Sequence, residues 1–267
     1  HRVFLDTVKY AVQYGDPGFQ FDSDNQVLRN ACTEIISDDD CDSCCLASVN
    51  FAKIDSIAEL SDVVNLGILF LLCNTMYTDV PYPKVRKVKD QNRRLGLGIM
   101  GIGEWFIQHN QIYGTHYDHD YVDALSNDYK DIASSHNIGN WLRTYQQQAD
   151  NAAIHWSNKL SVAKPVATRA IAPTGTISIV GGHTTPGIEP VFHTAYQRTY
   201  NTFKSQQHSN GYKTETIIDP IVQKWMEQGY DVQDIDTAYT LSQTASGIER
   251  RISFQAFCQQ YVDNAIS

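Results

Sequence analysis

Apolar residues recur at Val3, Leu5, Val8, Ala11 and Val12, a helical spacing over residues 1–14 that stops at the turn Gly15-Asp16-Pro17-Gly18. An irregular stretch then carries a cysteine cluster to about Asn50. A long helix is predicted over 56–78, closed by Pro81 and Pro83. Its most apolar part, 63–73, is interrupted by Asn65 and Gly67 and flanked by Asp62 and Asn74; it is too short to span a bilayer and reads as a buried helix. Residues 95–100 read as a strand and 101–109 as the helix after it. A helical pattern rich in Tyr, Asp and Ser covers 121–148. Residues 166–172 form a short apolar strand, broken by Thr168 and Arg169, that runs into Pro173-Thr174-Gly175-Thr176. A polar loop at 205–213 and helices at 220–228 and 253–266 complete the chain. Strands alternating with helices predict an α/β arrangement, with no internal repeat or low-complexity linker. Both ends fall inside helical patterns, so 1–267 is expected to be one domain cut from a longer protein.

Composition narrows the class. Hydrophobic residues are 42% and charged residues 19% of 267, as a buried core requires. The net charge of −9 argues against a nucleic-acid binder. It leaves room for a small anion, because backbone N–H groups at a helix start can hold phosphate without a lysine. No signal peptide opens the chain. The six cysteines, four of them between Cys32 and Cys45, lack the even spread of a secreted disulfide scaffold, which points to a reducing cytoplasm.

That cluster is the first candidate for chemistry. In an extended Asn30-Ala31-Cys32-Thr33-Glu34, alternate side chains share a face, so a thiol would stand between an amide and a carboxylate. Such a set suits hydrogen abstraction assisted by a base, or simply a buried cysteine beside turn residues. Cys41 and Cys44 form a C-x-x-C next to Cys45, but zinc needs four ligands and no second pair follows at a useful distance. The letters G-x-G-x-x-G at Gly96, Gly98 and Gly101 are preceded by Asn92-Arg93-Arg94 where a long buried strand should stand, and no clear acidic residue follows ~20 positions later, so the nicotinamide reading fails. The turn Pro173-Thr174-Gly175-Thr176-Ile177-Ser178 offers hydroxyls and free N–H groups to an anion.

Together and in this order, these segments resemble ribonucleotide reductase large subunits. The resemblance takes in Gly15 to Gly18, the N-x-C-x-E motif, Ser43-Cys44 with Leu46 to Asn50, and Arg93 to Gly101. It continues through Ala172 to Ser178 and Gly187 to Phe192, and ends at Gln255-Ala256 and Val262 to Ser267. The PTGTIS and GIEP wording is closer to adenosylcobalamin-dependent (class II) enzymes and their phage relatives than to the enterobacterial class I type.

The resemblance implies an α/β fold that is part of a ten-stranded α/β barrel, with a central finger loop carrying the catalytic cysteine. It implies thiyl-radical reduction of ribonucleoside di- or triphosphates to deoxyribonucleotides for DNA synthesis. Cys32 would hold the thiyl radical, Glu34 would be the base on the 3′-hydroxyl, and Asn30 would hydrogen-bond the substrate. Cys44 would be one of two reducing thiols, and Pro173, Thr174, Gly175, Thr176 and Ile177 would surround the substrate diphosphate. The radical source would lie outside the chain, as adenosylcobalamin or a metal-bearing small subunit. The other expected partners are the rest of the large subunit, a thioredoxin- or glutaredoxin-like reductant and, when complete, a second copy. Neither nucleic acid nor membrane is an expected partner, and a phage-encoded enzyme would work in the host cytoplasm.

The sequence departs from that pattern in places. Ala31 replaces a proline common in the class II finger, and Cys45 stands where the family usually has Asn. The partner thiol expected on an upstream strand, the upstream specificity region and the C-terminal cysteine tail are not among these 267 residues and are expected in the rest of the longer protein. Two other readings stay open: a non-catalytic chain completing a split or degenerate barrel, and a thiol or zinc module on Cys41, Cys44 and Cys45. Cys73 and Cys258 read as core packing, the run His116-Tyr117-Asp118-His119-Asp120 as solvated capping, and Asp38-Asp39-Asp40 as an exposed loop.

Overall fold

The computed structural model describes residues 2–19, 27–116, 137–191, 193–201, 212–231 and 245–267. Helix α1 (Arg2–Tyr14) forms as expected and buries none of its residues. Strands β1 (Leu28–Arg29) and β2 (Ile36–Ser37) pair antiparallel. Strand β3 (Cys45–Asn50) occupies a stretch expected to be irregular. Its period of two is there, since Cys45, Ala47 and Val49 all face the core, but two of the three are small and give a weak apolar signal.

Helix α2 (Ile57–Tyr77) starts where Ser56 accepts a hydrogen bond from the Glu59 N–H at 3.2 Å, a cap that stabilises by about 1 kcal/mol. It matches the predicted 56–78, and at 21 residues it is, by length and composition alone, long and apolar enough to cross a membrane. One face is buried through Leu60, Val64, Ile68, Leu71 and Leu72, while Leu66 and Phe70 on the other are 60% and 69% exposed. Pro83, expected to close this helix, instead opens α3 (Pro83–Asn92), where its fixed φ and missing N–H suit a first turn.

Strand β4 (Leu95–Met100) is buried at every position, as a parallel strand covered on both faces must be. It pairs parallel with β3, from Cys45↔Leu95 to Asn50↔Met100. Helix α4 (Ile102–Gln108) follows as expected. Helix α5 (Ile138–Leu160) continues well beyond the predicted end at 148, and residues 121–136 of that prediction lie outside the described ones. Helix α5 packs on α2, its Trp141, Leu142, Tyr145, Ala149 and Ala153 join the same core, and Trp156 Nε1 donates to Asn65 Oδ1 at 3.0 Å.

The predicted strand at 166–172 reduces to two parallel bridges, Leu97↔Arg169 and Ile171↔Ile266. The reason is a partner far along the chain: the N–H groups of Thr168 and Arg169 donate to the Asp263 carboxylate at 2.6 and 3.0 Å instead of to a neighbouring strand. Helix α6 (Gly175–Val180) follows. Strands β5 (Ala195–Asn201) and β6 (Tyr212–Ile218) form an antiparallel ribbon that the sequence did not suggest; of the expected loop, 205–211 lie outside the described residues and Tyr212 and Lys213 belong to β6. Helix α7 (Pro220–Glu227) is capped by Asp219. Helix α8 (Ala245–Gln259) ends earlier than the predicted 266, because Asp263 and Asn264 leave it to bond residues 168–169.

The result is an α/β sheet of parallel segments in the order β3, β4, 167–171 and 265–267, with α2 and α5 on one face. Among the described residues it does not close into a barrel. Leu95, Leu97 and Ile99 face the helices; Gly96 and Gly98 face the opposite side, which holds the site.

Candidate active site

Residues 30–35 make a tight turn at the tip of the β1–β2 pair, not the extended segment the motif suggested. The Thr33 N–H donates to the Asn30 carbonyl at 3.0 Å, and Thr33 takes a left-handed φ of 67°. Asn30 Oδ1 accepts from the Ile35 N–H at 3.0 Å, so the amide staples the turn from within. The three motif residues therefore do not share one face: Asn30 and Cys32 are exposed, whereas Glu34 is 1% exposed. Glu34 Oε2 is buried and has no hydrogen-bond partner among the described residues, an acceptor of the kind that a folded protein rarely leaves idle. Its backbone carbonyl accepts from the Ala265 N–H at 2.8 Å, which pins the turn to the last segment of the sheet.

The cysteines that follow divide between the two faces. A Cβ placed on Gly96 would lie 3.1 Å from Cys44 Sγ, so the thiol rests on the side of β4 away from the helices, where only glycine leaves it room. Burial pushes the Cys44 thiol well above its ordinary value; the charges of Asp42 and Glu34 add to this and Arg94 opposes it. Cys45 points to the helix side, where Asn74 of α2 hydrogen-bonds its thiol; burial nonetheless raises it. Among the described residues no three His, Cys, Asp or Glu side chains come together to hold a metal ion, so Cys41, Cys44 and Cys45 form no zinc set there.

The anion turn lies beyond the third sheet segment. The Ile171 N–H donates to the Ala265 carbonyl at 3.1 Å, and Ala265 in turn holds Glu34, so finger and turn are joined through two backbone hydrogen bonds. Thr174 has a φ of 55° and its Oγ1 accepts from the Gly187 N–H at 2.7 Å, tying the turn to the GIEP segment. Pro173, Gly175, Thr176 and Ile177 are exposed, and the first-turn N–H groups of α6 have no acceptor within the helix. A Cβ on Gly175 would meet nothing within 4 Å.

Against this geometry, the family model described as "Ribonucleotide reductase, barrel domain" matches residues 3–148 and 164–267. The chain belongs to the ribonucleotide reductase barrel family. A Mycobacterium phage D29 protein named as an adenosylcobalamin-dependent ribonucleoside-triphosphate reductase is 25% identical over 308 residues, covering 100% of this chain and 41% of its own length. A vitamin B12-dependent ribonucleoside-diphosphate reductase of Mycobacterium tuberculosis is 25% identical over 257 residues, covering 85% of this chain and 34% of that protein. The crystal structure of a B-12 dependent (class II) ribonucleotide reductase superposes with a TM-score of 0.65 at 15% identity, covering 90% of this chain and 34% of that one. The chain thus spans about a third to two fifths of the relatives it matches.

Two parts of this reductase barrel escaped the sequence reading. Arg94, 9% exposed at the head of β4, pairs with Asp42 at 2.7 Å, although 52 positions separate them. Burial alone would raise the Asp42 carboxyl, but hydrogen bonds from Arg94, Asn92 and Ser37 outweigh it and hold the group below its ordinary value. Glu104, 2% exposed, accepts from the Thr184 hydroxyl and from the Thr185 N–H at 3.1 Å; burial raises its carboxyl. Neither pairing has a sequence signal beyond charges standing beside apolar runs. Cys258 lies in the core as expected, and Cys73 is partly buried on α2. His116 stacks on Phe257 with ring centres 4.5 Å apart; residues 117–120 of its run, and Phe192 of the GIEP segment, lie outside the described residues.

Proposed function

We propose that residues 1–267 form one catalytic barrel unit of a ribonucleotide reductase, contributing its radical-bearing finger, one reducing thiol and the substrate-phosphate turn. The observation that carries this reading is Glu34: a buried carboxylate oxygen without a partner among the described residues, two residues from an exposed cysteine on a tight turn. A ribose laid over the turn would supply the missing donor through its 3′-hydroxyl. A thiyl radical on Cys32 takes the hydrogen atom from C3′ and becomes a thiol, while Glu34 takes the 3′-hydroxyl proton. The 2′-hydroxyl then leaves as water with a proton from the reducing thiol pair, whose other hydrogen goes to C2′, and Glu34 returns its proton to O3′. Two electrons come from Cys44 and a partner thiol on another part of the enzyme, which end as a disulfide, and Cys32 returns its hydrogen atom to C3′. Asn30, with Oδ1 engaged by Ile35, offers its N–H group to the ribose. Gly175, Thr176 and Ile177, with Pro173 and Thr174 shaping the turn, receive the phosphates of a di- or triphosphate through backbone N–H groups.

The exposure of Cys32 fits a radical source outside the finger. The names of the relatives favour adenosylcobalamin over a metal-bearing small subunit. That cofactor supplies the species that first oxidises the thiol, and no residue described here is assigned to hold it. The further partners are the rest of the large subunit, a thioredoxin- or glutaredoxin-like reductant and a second copy of the complete enzyme. All six cysteines are free, which fits a reducing cytoplasm.

The test is isotope exchange at the 3′ position of a ribonucleotide by the complete reductase assembled around this chain. Exchange that disappears in Cys32→Ala supports the reading. Undiminished turnover in that variant would hand the chain to the alternative of a non-catalytic piece completing a split barrel.

A further inference from the structure

We propose that Arg94 is a positioning residue: its guanidinium ties the finger to the segment bearing Cys44 and so sets where Cys32 stands relative to the reducing thiol. The proposal rests on the assignment of Cys32 and Cys44 given above. Arg94 Nε donates to Asp42 Oδ2 at 2.7 Å, Nη2 to Ser37 Oγ at 3.3 Å and Nη1 to Asn264 Oδ1 at 3.1 Å. Ser37 belongs to β2, the return strand of the finger; Asp42 lies two residues before Cys44; Asn264 lies beside Ala265, which holds the Glu34 carbonyl. One side chain therefore touches all three segments that meet at the site. The backbone takes part as well, since the Cys45 N–H donates to the Arg94 carbonyl at 3.4 Å.

The finger needs such an anchor. Its two strands are two residues each, too short to hold their own position. Ser37 Oγ also donates to Asp42 Oδ2 at 2.8 Å, so the carboxylate and the guanidinium clamp the same hydroxyl. With side chains 11% and 4% exposed, Arg94 and Asp42 pair away from water, where loss of one partner strands the other. The arrangement also needs arginine rather than a positive charge alone. Three acceptors in three directions match a planar fork of five donors; an ammonium places its donors at one point and cannot span them.

Alkylation followed cysteine by cysteine by mass spectrometry tests this on the chain itself. Cys258, buried in the core, reports general loosening, and exposed Cys32 reports the reagent. In Arg94→Lys, Cys44 should label at least ~10-fold faster while Cys258 does not change. The double variant Arg94→Met with Asp42→Asn, which removes the stranded charge, should behave the same way and guards against a single variant that fails to fold. In the complete enzyme, Arg94→Lys should keep 3′-hydrogen exchange but lower the deoxynucleotide formed per exchange event, a split that a loss of folded protein cannot produce. Cys44 and Cys258 rising together, neither rising, or an unchanged yield per exchange each overturn the proposal. Absence of exchange in the unsubstituted enzyme would count against the reductase assignment instead, and the labelling result would still decide the role of Arg94 in placing the finger.

Discussion

Cys44 and Cys45 are neighbours in the chain and serve opposite faces of the sheet. The first lies over Gly96 among Asp42, Arg94 and Glu34; the second lies against Asn74 of α2. Successive side chains of an extended strand must diverge in this way. Only Cys44 is on the finger side, so Cys44→Ser should leave 3′-hydrogen exchange in place while deoxynucleotide yield collapses, and Cys45→Ser should retain yield. Product yield beside isotope exchange for the two variants checks this; full turnover in Cys44→Ser would pass the reducing role to Cys45 or Cys41.

If Cys32 carries the proposed radical, Cys32→Ala should abolish even the first turnover, because among the described residues the finger tip has no second thiol to replace it. Cys32→Ser should be equally inactive, since an O–H bond is much stronger than S–H. Glu34→Gln should slow exchange by roughly 10²–10⁴, the range for loss of a general base. Single-turnover exchange rates measure all three.

Gly175→Val should leave the melting temperature unchanged, because a Cβ at this exposed position meets nothing within 4 Å. It should nevertheless raise the nucleotide Kd by covering the backbone that the phosphates approach. Normal nucleotide binding by this variant, measured by calorimetry on the complete enzyme, removes the anion site from the α6 turn.

The Asp42 carboxyl is held below its ordinary value by Arg94, Asn92 and Ser37 despite its burial. A folded-state value below the unfolded one means stability that is fully present above about pH 3.9 and lost as pH falls through the folded value. Urea unfolding at a series of pH values should show the advantage of the unsubstituted chain over Asp42→Asn shrinking only below about pH 4. At neutral pH, Arg94→Met should cost about 3–5 kcal/mol, as for a buried pair that loses one member.

The 267-residue chain alone, given reductant and a radical source, should form no deoxynucleotide. Among the described residues β3 pairs only with β4, leaving its other edge open, and α2 exposes Leu66 and Phe70. Product from the isolated chain would show that the barrel need not be closed.

By itself the sequence determined the elements that rest on near-neighbour physics. Ser56 and Glu59 start α2, the apolar period carries it to Tyr77, and the run Leu95 to Met100 reads as the strand it forms. It also singled out the candidate residues, since N-x-C-x-E, the paired cysteines and the PTGTI turn are local strings. It misjudged 30–34, 45–50 and 260–266, where conformation is set by partners far along the chain. Thr33 turns left-handed within a loop held by Ala265, and the last segment leaves α8 because Asp263 and Asn264 find Thr168 and Arg169. Only the tertiary structure decided which cysteine faces the finger and that Arg94 meets Asp42. A sheet's two faces become different only once helices cover one of them, and a buried charge reveals its partner only when the chain brings the two together.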